Sequence, residues 1–282
     1  MVGKLALIIT AASMIVPQLL LAGRDNEHHA SKLEQSYSQA LSELRGAADR
    51  ENAEARFELG NLYVKGEAVG KNFSTAAYWY RSAAEQGHDA AQYNLGVMYE
   101  YGEGVVQNSI EAVRWYLKAA EQENGKAQHN LGKMFARGDG VAQDYARAAF
   151  WFGRAAEKGN AVAQYNMGAM YANGLGVMAD KAEAVRWYGK AAEQGHAVAQ
   201  CNLGSMYGLG VGVTRDYAMA LHWYRKAAEQ GDAKAQCNLG FMYGNGDGVA
   251  RNPAEALRWF IKAAEQGDEQ ALEELGRAGV AL

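Results

Sequence analysis

Proline and cysteine are scarce in this chain, with two of each among its 282 residues. Few prolines leave long helices uninterrupted. Together with a composition that is 49% apolar and 21% charged, this predicts a soluble, helix-rich protein. Positive charge is not in excess either, because the formal net charge is −4. A nucleic-acid partner usually requires a basic face, so we expect none.

The spacings that hold metals or support catalysis are also lacking. The sequence has no Cys-x-x-Cys motif and no histidine pair with metal-ligand spacing on one helix. Its Gly-x-Gly loops follow predicted helices rather than strands, so they are turns and not phosphate cradles. We therefore expect no metal, no cofactor and no enzymatic activity.

What the chain has instead is a strict 36-residue period. It is marked by all six tryptophans, at Trp79, Trp115, Trp151, Trp187, Trp223 and Trp259. A second series, here called the glycine ladder, consists of Gly60, Gly96, Gly132, Gly168, Gly204, Gly240 and Gly276. A fixed period of this length indicates stacked structural repeats rather than one globular core.

Each repeat contains two helical patterns, which we call helix A and helix B. In residues 89–124, Ala91, Leu95, Met98 and Tyr99 share one face of helix A. Glycines at 102 and 104 then interrupt the pattern. Helix B begins after a good N-cap residue seven positions before each tryptophan: Asn72, Asn108, Asp144, Asp180, Asp216 and Asn252. The repeat is thus predicted to be a helix pair.

Glycine should end helix B and let helices A and B cross closely. Left-handed C-caps are expected at Gly87, Gly159, Gly195, Gly231 and Gly267. Glu123 stands at the matching place in the second repeat, where we expect Asn124-Gly125 to form the turn instead. The ladder glycines lie in mid-helix and cost about 1 kcal/mol each relative to alanine. Close approach of helix B would explain them.

The recurring pattern A-x-A-Q-x-N-L-G-x-M-Y-x-x-G-x-G-V followed by W-Y-x-x-A-A-E-Q-G resembles the Sel1-like repeat, which is related to the tetratricopeptide repeat. The resemblance implies an all-α, right-handed α-solenoid of about six helix-pair repeats. The repeats would be residues 53–88, 89–124, 125–160, 161–196, 197–232 and 233–268. The first departs from the pattern with Ala68 in place of the second loop glycine.

Segments outside the repeats are predicted to cap the solenoid and to export it. Residues 31–52 and 269–282 resemble half-repeats, which cover exposed core at the ends, and residues 23–30 are a tether. Residues 1–22 carry Lys4 before an apolar run and match a secretory signal. We expect a periplasmic or secreted bacterial protein. The alternative is an uncleaved inner-membrane anchor over residues 5–22, which would be the only membrane contact.

The cysteines are expected to be free thiols. Cys201 and Cys237 occupy the same repeat position. Equivalent points on adjacent repeats lie on the order of 10 Å apart. A disulfide requires a Cα separation below about 7 Å.

Specificity should lie on the side of helix A that varies between repeats, which in such solenoids usually lines the concave groove. We call a set of equivalent positions in successive repeats a column. Three columns stand out on this side: the one three positions before the ladder glycine, and those one and five positions after it. They give an aromatic and basic strip in the first four repeats, consisting of Lys65, Tyr93, Tyr101, His129, Lys133, Arg137 and Tyr165, with Lys126 on the same face. This strip suits a peptide with apolar and acidic groups. The last two repeats offer small or apolar groups, including both cysteines.

An asparagine series lies two positions before the ladder glycines, at Asn94, Asn130, Asn166, Asn202 and Asn238. An asparagine amide can pair with a peptide N–H and C=O, so the series could hold an extended peptide. Bonding to a neighbouring helix is the other interpretation, and both stay open.

The function predicted is a non-enzymatic scaffold or adaptor that holds a protein segment in its groove, in envelope signalling, assembly or host contact. The alternative is a cell-wall or β-lactam-type ligand binder or hydrolase, as suggested by cysteine-rich Sel1-like proteins. Those proteins carry cysteine pairs in each repeat, which this chain does not have.

Overall fold

The computed structural model describes residues 27–66 and 69–280, and in this part of the chain all regular structure is helical. Fourteen helices follow one another without a strand in the described residues. None of them combines the length and the apolar character that a membrane span needs. The predicted signal or anchor at residues 1–22 and the departure at Ala68 lie outside the described residues.

The helices divide into two compact units, which meet in sequence between Gln143 and Asp144. The first unit contains α1 (Glu27–Asp49), α2 (Ala53–Lys65), α3 (Phe73–Glu85), α4 (Asp89–Tyr101), α5 (Ser109–Glu121) and α6 (Gly125–Arg137). Its helices pair in chain order, with α2 on α3 and α4 on α5. The first two helix-pair repeats are thus complete in this unit, and α6 is helix A of the third.

The second unit begins with helix B of the third repeat. It contains α7 (Tyr145–Glu157), α8 (Ala161–Asn173), α9 (Lys181–Glu193), α10 (Ala197–Leu209), α11 (Tyr217–Glu229), α12 (Ala233–Asn245), α13 (Pro253–Ala264) and α14 (Glu269–Arg277). Its helices A and B again pair within each repeat. The all-α fold built from helix-pair repeats of the solenoid class is confirmed.

One predicted boundary differs from the structure at the N-terminal cap. Helix α1 begins at Glu27, so residues 27–30 are helical rather than part of a tether. The segment from Glu27 to Ser31 contains neither glycine nor proline, and nothing in its sequence therefore stops the helix.

The predicted N-caps of helix B are confirmed at all six positions. Each side chain accepts a backbone N–H of the first turn, as at Asn72 from Thr75 and at Asp216 from Met219. Helix A is capped as well, which the sequence analysis did not predict. Its caps include two histidines, His88 and His196, whose Nδ1 atoms accept the N–H of the residue three positions on at 3.2 Å.

The turn after α5 corrects one prediction. Glu123 itself adopts the left-handed conformation, with φ of 68°, as the glycines do at the other helix B ends. Asn124 caps α6 and Gly125 lies inside that helix, so neither forms the turn. A non-glycine residue in this conformation costs roughly 1–2 kcal/mol. The packing of the repeat therefore imposes the left-handed turn despite this cost.

The glycine ladder marks the helix crossing inside each repeat. A Cβ on Gly60, Gly96, Gly168, Gly204 or Gly240 would lie 2.5–2.8 Å from the ring that follows the tryptophan of the same repeat. Gly276 has no such ring and open space around it. In these five repeats the crossing therefore requires glycine, as predicted.

A series of buried glutamines joins successive repeats. In Gln92, Gln128, Gln164, Gln200 and Gln236 the side chain donates to a carbonyl at the end of the preceding helix B, at 3.0–3.2 Å. In four of them Oε1 also accepts from a glutamine at the end of their own repeat, as between Gln230 and Gln200 at 2.7 Å. These bonds satisfy the helix ends that stacking buries.

Candidate functional site

The predicted strip residues of the first unit lie together on helices α4 and α6. Lys126, Lys133 and Arg137 project from α6 towards α4. Lys65, at the end of α2, is exposed and pairs with no side chain of these two helices in the described part of the chain. The compact part of the site is therefore the α4–α6 face, and the name "α4–α6 strip" is used below for Tyr93, Glu100, Tyr101, Lys126, His129, Lys133 and Arg137.

A carboxylate lies at the centre of this strip. Glu100 Oε1 is 3.7 Å from the Lys133 ammonium, and its Oε2 accepts a 2.6 Å hydrogen bond from the Tyr116 hydroxyl. Both charged side chains are largely covered, with 18% and 27% exposure. Burial and Glu100 together raise the pKa of Tyr116. Glu100 thus fixes Lys133 and reduces the positive charge that the sequence suggested.

The two tyrosines of α4 flank this ion pair, each with a cation from α6. The Lys126 ammonium lies 6.0 Å from the centre of the Tyr93 ring, within cation–π range. The positive charge of Arg137 acts on Tyr101, whose ring is 61% exposed. Negative charge on Glu100 raises the pKa of Tyr101, and burial raises that of Tyr93. The half-buried Tyr93 and the exposed Tyr101 therefore each have a cation of α6 beside them.

His129 is the one histidine of the strip and is held neutral. Burial lowers its pKa, and the nearby Lys133 ammonium lowers it further. The hydrogen bond that it shares with Asn130 opposes these effects. At neutral pH this side chain therefore adds polarity without charge.

Side chains of the asparagine series lie beside tyrosine hydroxyls of the preceding helix B. Asn130 Nδ2 donates to the Tyr116 hydroxyl at 3.0 Å. Asn94 and Asn202 stand in the same relation to Tyr80 and Tyr188, and each opposes the rise that burial causes in the tyrosine pKa. The hydrogen bond of the structural interpretation is thus observed at Asn130. For Asn166 and Asn238 the same residue type occupies the same half-buried position.

Tyr165, on α8, is the one predicted strip residue of the second unit. Its ring stacks on His196 at 4.8 Å between centres and tilts against Tyr188 at 5.8 Å. These two ring contacts therefore hold the Tyr165 ring in place. Phe57 makes the same stack on His88 in the first unit, at 4.5 Å.

The cysteines do not line an open surface, contrary to their predicted place in the groove. Cys201 and Cys237 are free, as predicted, but buried to 5% and 2% exposure. Burial and the neighbouring caps Asp232 and Asp268 raise the pKa of each thiol to about 12. In the column three positions before the ladder glycine, the small cysteines are therefore buried, whereas the rings of Phe57, Tyr93 and Tyr165 are half-buried.

Glu100 is the residue that sequence reasoning missed. It stands four positions after its ladder glycine, a column that also faces the strip. The equivalent residues are uncharged: Val64, Ala136, Ala172, Gly208 and Gly244. A single charge in an otherwise small and apolar column was the available signal. The described residues contain no group of His, Cys, Asp and Glu that could hold a metal.

Comparison with known proteins agrees with this repeat architecture. The family model described as "Sel1 repeat" matches residues 53–88, 89–124, 125–160, 161–196, 197–232 and 233–268. No protein with a curated description matches the chain significantly.

Two solved structures show the same fold. The chain is similar to a protective antigen present in uropathogenic Escherichia coli strains, described as displaying an SLR fold, with 37% identity and a TM-score of 0.81. That match covers 94% of this chain but only 61% of the antigen. A Sel1 repeat protein from Oxalobacter formigenes is 38% identical, with a TM-score of 0.69, and the match covers 82% of this chain and 92% of that one. The chain therefore belongs to the Sel1 repeat family, whose members are in general scaffolds for protein–protein interaction.

Proposed function

We propose that the protein is a non-enzymatic adaptor that binds an extended segment of a partner protein on the α4–α6 strip. The observation that carries the proposal is that Tyr93 and Tyr101 each have a cation beside them, around the fixed Glu100–Lys133 pair. Because the repeated contacts are satisfied within the fold, these variable side chains are the ones free to act on a partner.

The partner segment should combine apolar side chains with acidic ones. Aromatic rings at Tyr93 and Tyr101 offer contact area at a low entropic cost, and they are typical of binding hot spots. Arg137 is exposed and has a planar guanidinium suited to a carboxylate. Lys133 is already paired with Glu100, so Arg137 and Lys126 are the cations that remain for an acidic group.

The asparagine amides contribute less to recognition than the sequence suggested. Each amide that bonds a tyrosine hydroxyl has part of its capacity committed to the scaffold. Asn94 and Asn130 are half-buried and keep polar atoms beside the strip. Their role in the proposal is to orient the tyrosines, with backbone contact to the partner as a secondary one.

The test uses photo-cross-linking to find the partner and matched variants to locate the site. A photoreactive residue at Tyr101 should capture one protein in cells, whereas the same residue at the exposed Tyr78 on α3 should not. Purified partner should then bind Tyr93→Ala, Tyr101→Ala and Arg137→Ala variants more weakly than the unchanged protein. Capture at both positions equally, or unchanged affinity of all three variants, would remove the strip from the proposal.

We also propose that the protein is exported from a bacterial cell and acts in the envelope or in contact with a host. Two observations support this. Residues 1–22 have the pattern of a secretory signal, and a 37% identical relative is a protective antigen of uropathogenic Escherichia coli.

Fractionation of cells followed by mass measurement tests this second proposal. A periplasmic or secreted protein shortened by about 22 residues is expected for a cleaved signal. Full-length protein in the membrane fraction would indicate the anchor over residues 5–22. Full-length protein in the cytoplasm would contradict export.

A further inference from the structure

Arginine–tyrosine pairs join helix B to the next helix A in two of the repeats. In the first, third, fourth and fifth repeats, the residue two positions after the tryptophan of helix B stands 18 positions before a tyrosine of the next helix A. In the first repeat this residue is Arg81, whose Nη2 donates to the Tyr99 hydroxyl and whose guanidinium lies 5.8 Å from the centre of that ring. In the fifth repeat Arg225 donates to the Tyr243 hydroxyl at 3.0 Å. The position thus holds an arginine over a tyrosine twice.

In the third and fourth repeats the arginine is missing while the tyrosine remains. Gly153 faces Tyr171, and Gly189 stands at the same position relative to Tyr207. A Cβ added at either glycine would meet nothing within 4 Å. The hydroxyls of Tyr171 and Tyr207 have no hydrogen-bond partner among the described residues. Both tyrosines therefore keep an acceptor that an arginine uses elsewhere.

The space left at Gly153 is a pocket of about 560 Å³ between α7 and α8. That volume lies within the range of ligand sites, about 300–1,000 Å³. Met167 and Tyr171 belong to its apolar lining, together with the exposed ring of Phe150, and Glu157 supplies a carboxylate at its edge. The pocket combines aromatic rings, the Tyr171 hydroxyl and one charge of each sign, from Glu157 and Arg154.

We propose that this pocket binds an arginine side chain from the surface of a partner protein. The bound guanidinium lies against the Tyr171 ring and donates to its hydroxyl, as Arg81 does to Tyr99 within the fold. Because residue 153 has no side chain, the partner's backbone approaches α7 closely enough for its arginine to reach the ring. Gly189 and Tyr207 offer the same pair one repeat further on, so a partner with two suitably spaced arginines fits both.

Arginine is favoured over other side chains because the same tyrosine position already pairs with arginine in two repeats. Arg81 and Arg225 each donate to the tyrosine hydroxyl, and the Arg81 guanidinium also lies over the ring. The pocket's own cation, Arg154, lies over the Phe150 ring, with 5.9 Å between its guanidinium and the ring centre.

The first experiment titrates small probes into protein labelled with ¹⁵N-glycine and follows the amide signals of Gly153 and Gly189. N-acetyl-arginine methylamide should shift both signals in a saturable way, with a dissociation constant on the order of millimolar. The citrulline analogue has the same shape without the charge, and the lysine analogue has the charge without the planar group. Both should bind at least several-fold more weakly. Equal shifts from all three probes, or none from the arginine probe, would overturn the proposal.

The second experiment fills the site from within. Gly153→Arg supplies the arginine that repeats one and five already have, but it also removes the Gly153 signal. The amide of Gly176, which lines the same pocket, therefore reports on the Tyr171 site, and in this variant the probe should no longer shift it. The Gly189 response should stay unchanged, which serves as the internal control. Tyr171→Phe keeps the ring, removes the hydroxyl and should weaken binding several-fold at Gly153 alone. Full probe binding near Tyr171 in both variants would contradict the assignment.

Discussion

The helix A surfaces of the two units carry different side chains on the same backbone framework. On α4 and α6 of the first unit, the variable columns hold Tyr93, Tyr101, Lys133 and Arg137 around Glu100. On α10 and α12 of the second unit, the column three before the ladder glycine holds Cys201 and Cys237, both buried. The glycine and glutamine contacts are the same in both units. The contrast separates residues that build every repeat from residues that differ between repeats, which are the ones proposed to recognise a partner.

The largest stability effect should follow from a change at the shared helix crossing. Gly96→Ala in the first unit and Gly204→Ala in the second place a Cβ 2.6 and 2.8 Å from the ring of Tyr116 or Tyr224. Overpacking of this kind costs about 1–3 kcal/mol. Urea unfolding followed by tryptophan fluorescence should show losses of similar size in both. Gly276→Ala, with open space around it, should be neutral or stabilising by up to about 1 kcal/mol. A loss in one unit alone would mean that the scaffold is not shared.

The buried glutamines should show a graded effect. Gln200→Met removes a donor to the Ala192 carbonyl and an acceptor for Gln230, both within the second unit. Leaving buried polar groups unpaired costs about 1–3 kcal/mol. Gln128 makes only the bond to Ala120, and its Oε1 has no partner among the described residues. Gln128→Met should therefore cost less when free energies of unfolding are compared. A larger loss at Gln128 would contradict the hydrogen-bond explanation.

A stabilising substitution is expected in the first unit. Glu123→Gly places glycine at a φ of 68°, the conformation that Gly195 has at the same repeat position with a φ of 88°. The gain should be about 1 kcal/mol, because the left-handed cost of a side chain exceeds the extra entropy of glycine in the unfolded chain. Gly195→Ala is the reverse change and should lose a similar amount. No difference in melting temperature for either variant would count against this explanation of the turn.

The smallest effect is a pH dependence from the histidine cap of α10. Burial lowers the pKa of His196 from its ordinary value of 6.5, so the unfolded chain takes up the proton more readily. Its stabilising contribution is complete above pH 6.5 and is lost as the pH falls through the lowered folded value. Protonation also removes the Nδ1 acceptor of the Ala199 N–H. His196→Asn keeps a cap without a titrating group, so its stability should fall less between pH 7 and 5. Identical pH profiles would show that the cap does not titrate in this range.

The architecture was predictable because it depends on residues that recur. The tryptophan period, the helix B caps and the glycine ladder each define a position that recurs from repeat to repeat. A prediction made for that position in one repeat therefore applies to the equivalent positions in the others. Cys201 and Cys237 were also predicted to be unpaired from spacing alone, and they are free.

The site was less predictable because it depends on contacts between repeats. The Glu100–Lys133 pair joins residues 33 positions apart. The sequence analysis did not compare the column four positions after the ladder glycine, which contains Glu100, and so it missed this pair. The burial of Cys201 and Cys237 could not be predicted from a helical wheel, because in that column the size of the side chain decides whether it is buried. The turn at Glu123 shows the same limit, because the surrounding repeats impose a conformation that its sequence disfavours.

The most direct test of the central claim is the affinity of the cross-linked partner for two matched triple variants. Tyr93→Ala, Lys133→Ala and Arg137→Ala together alter the strip of the first unit. Ser205→Ala, Phe241→Ala and Asn245→Ala alter the columns one and five positions after the ladder glycine in the second unit. The first variant should weaken binding roughly 30-fold or more, as expected for loss of about 2 kcal/mol of hot-spot contacts, while the second changes it less than about threefold. Equal affinities of the two variants would contradict the claim that the α4–α6 strip recognises the partner.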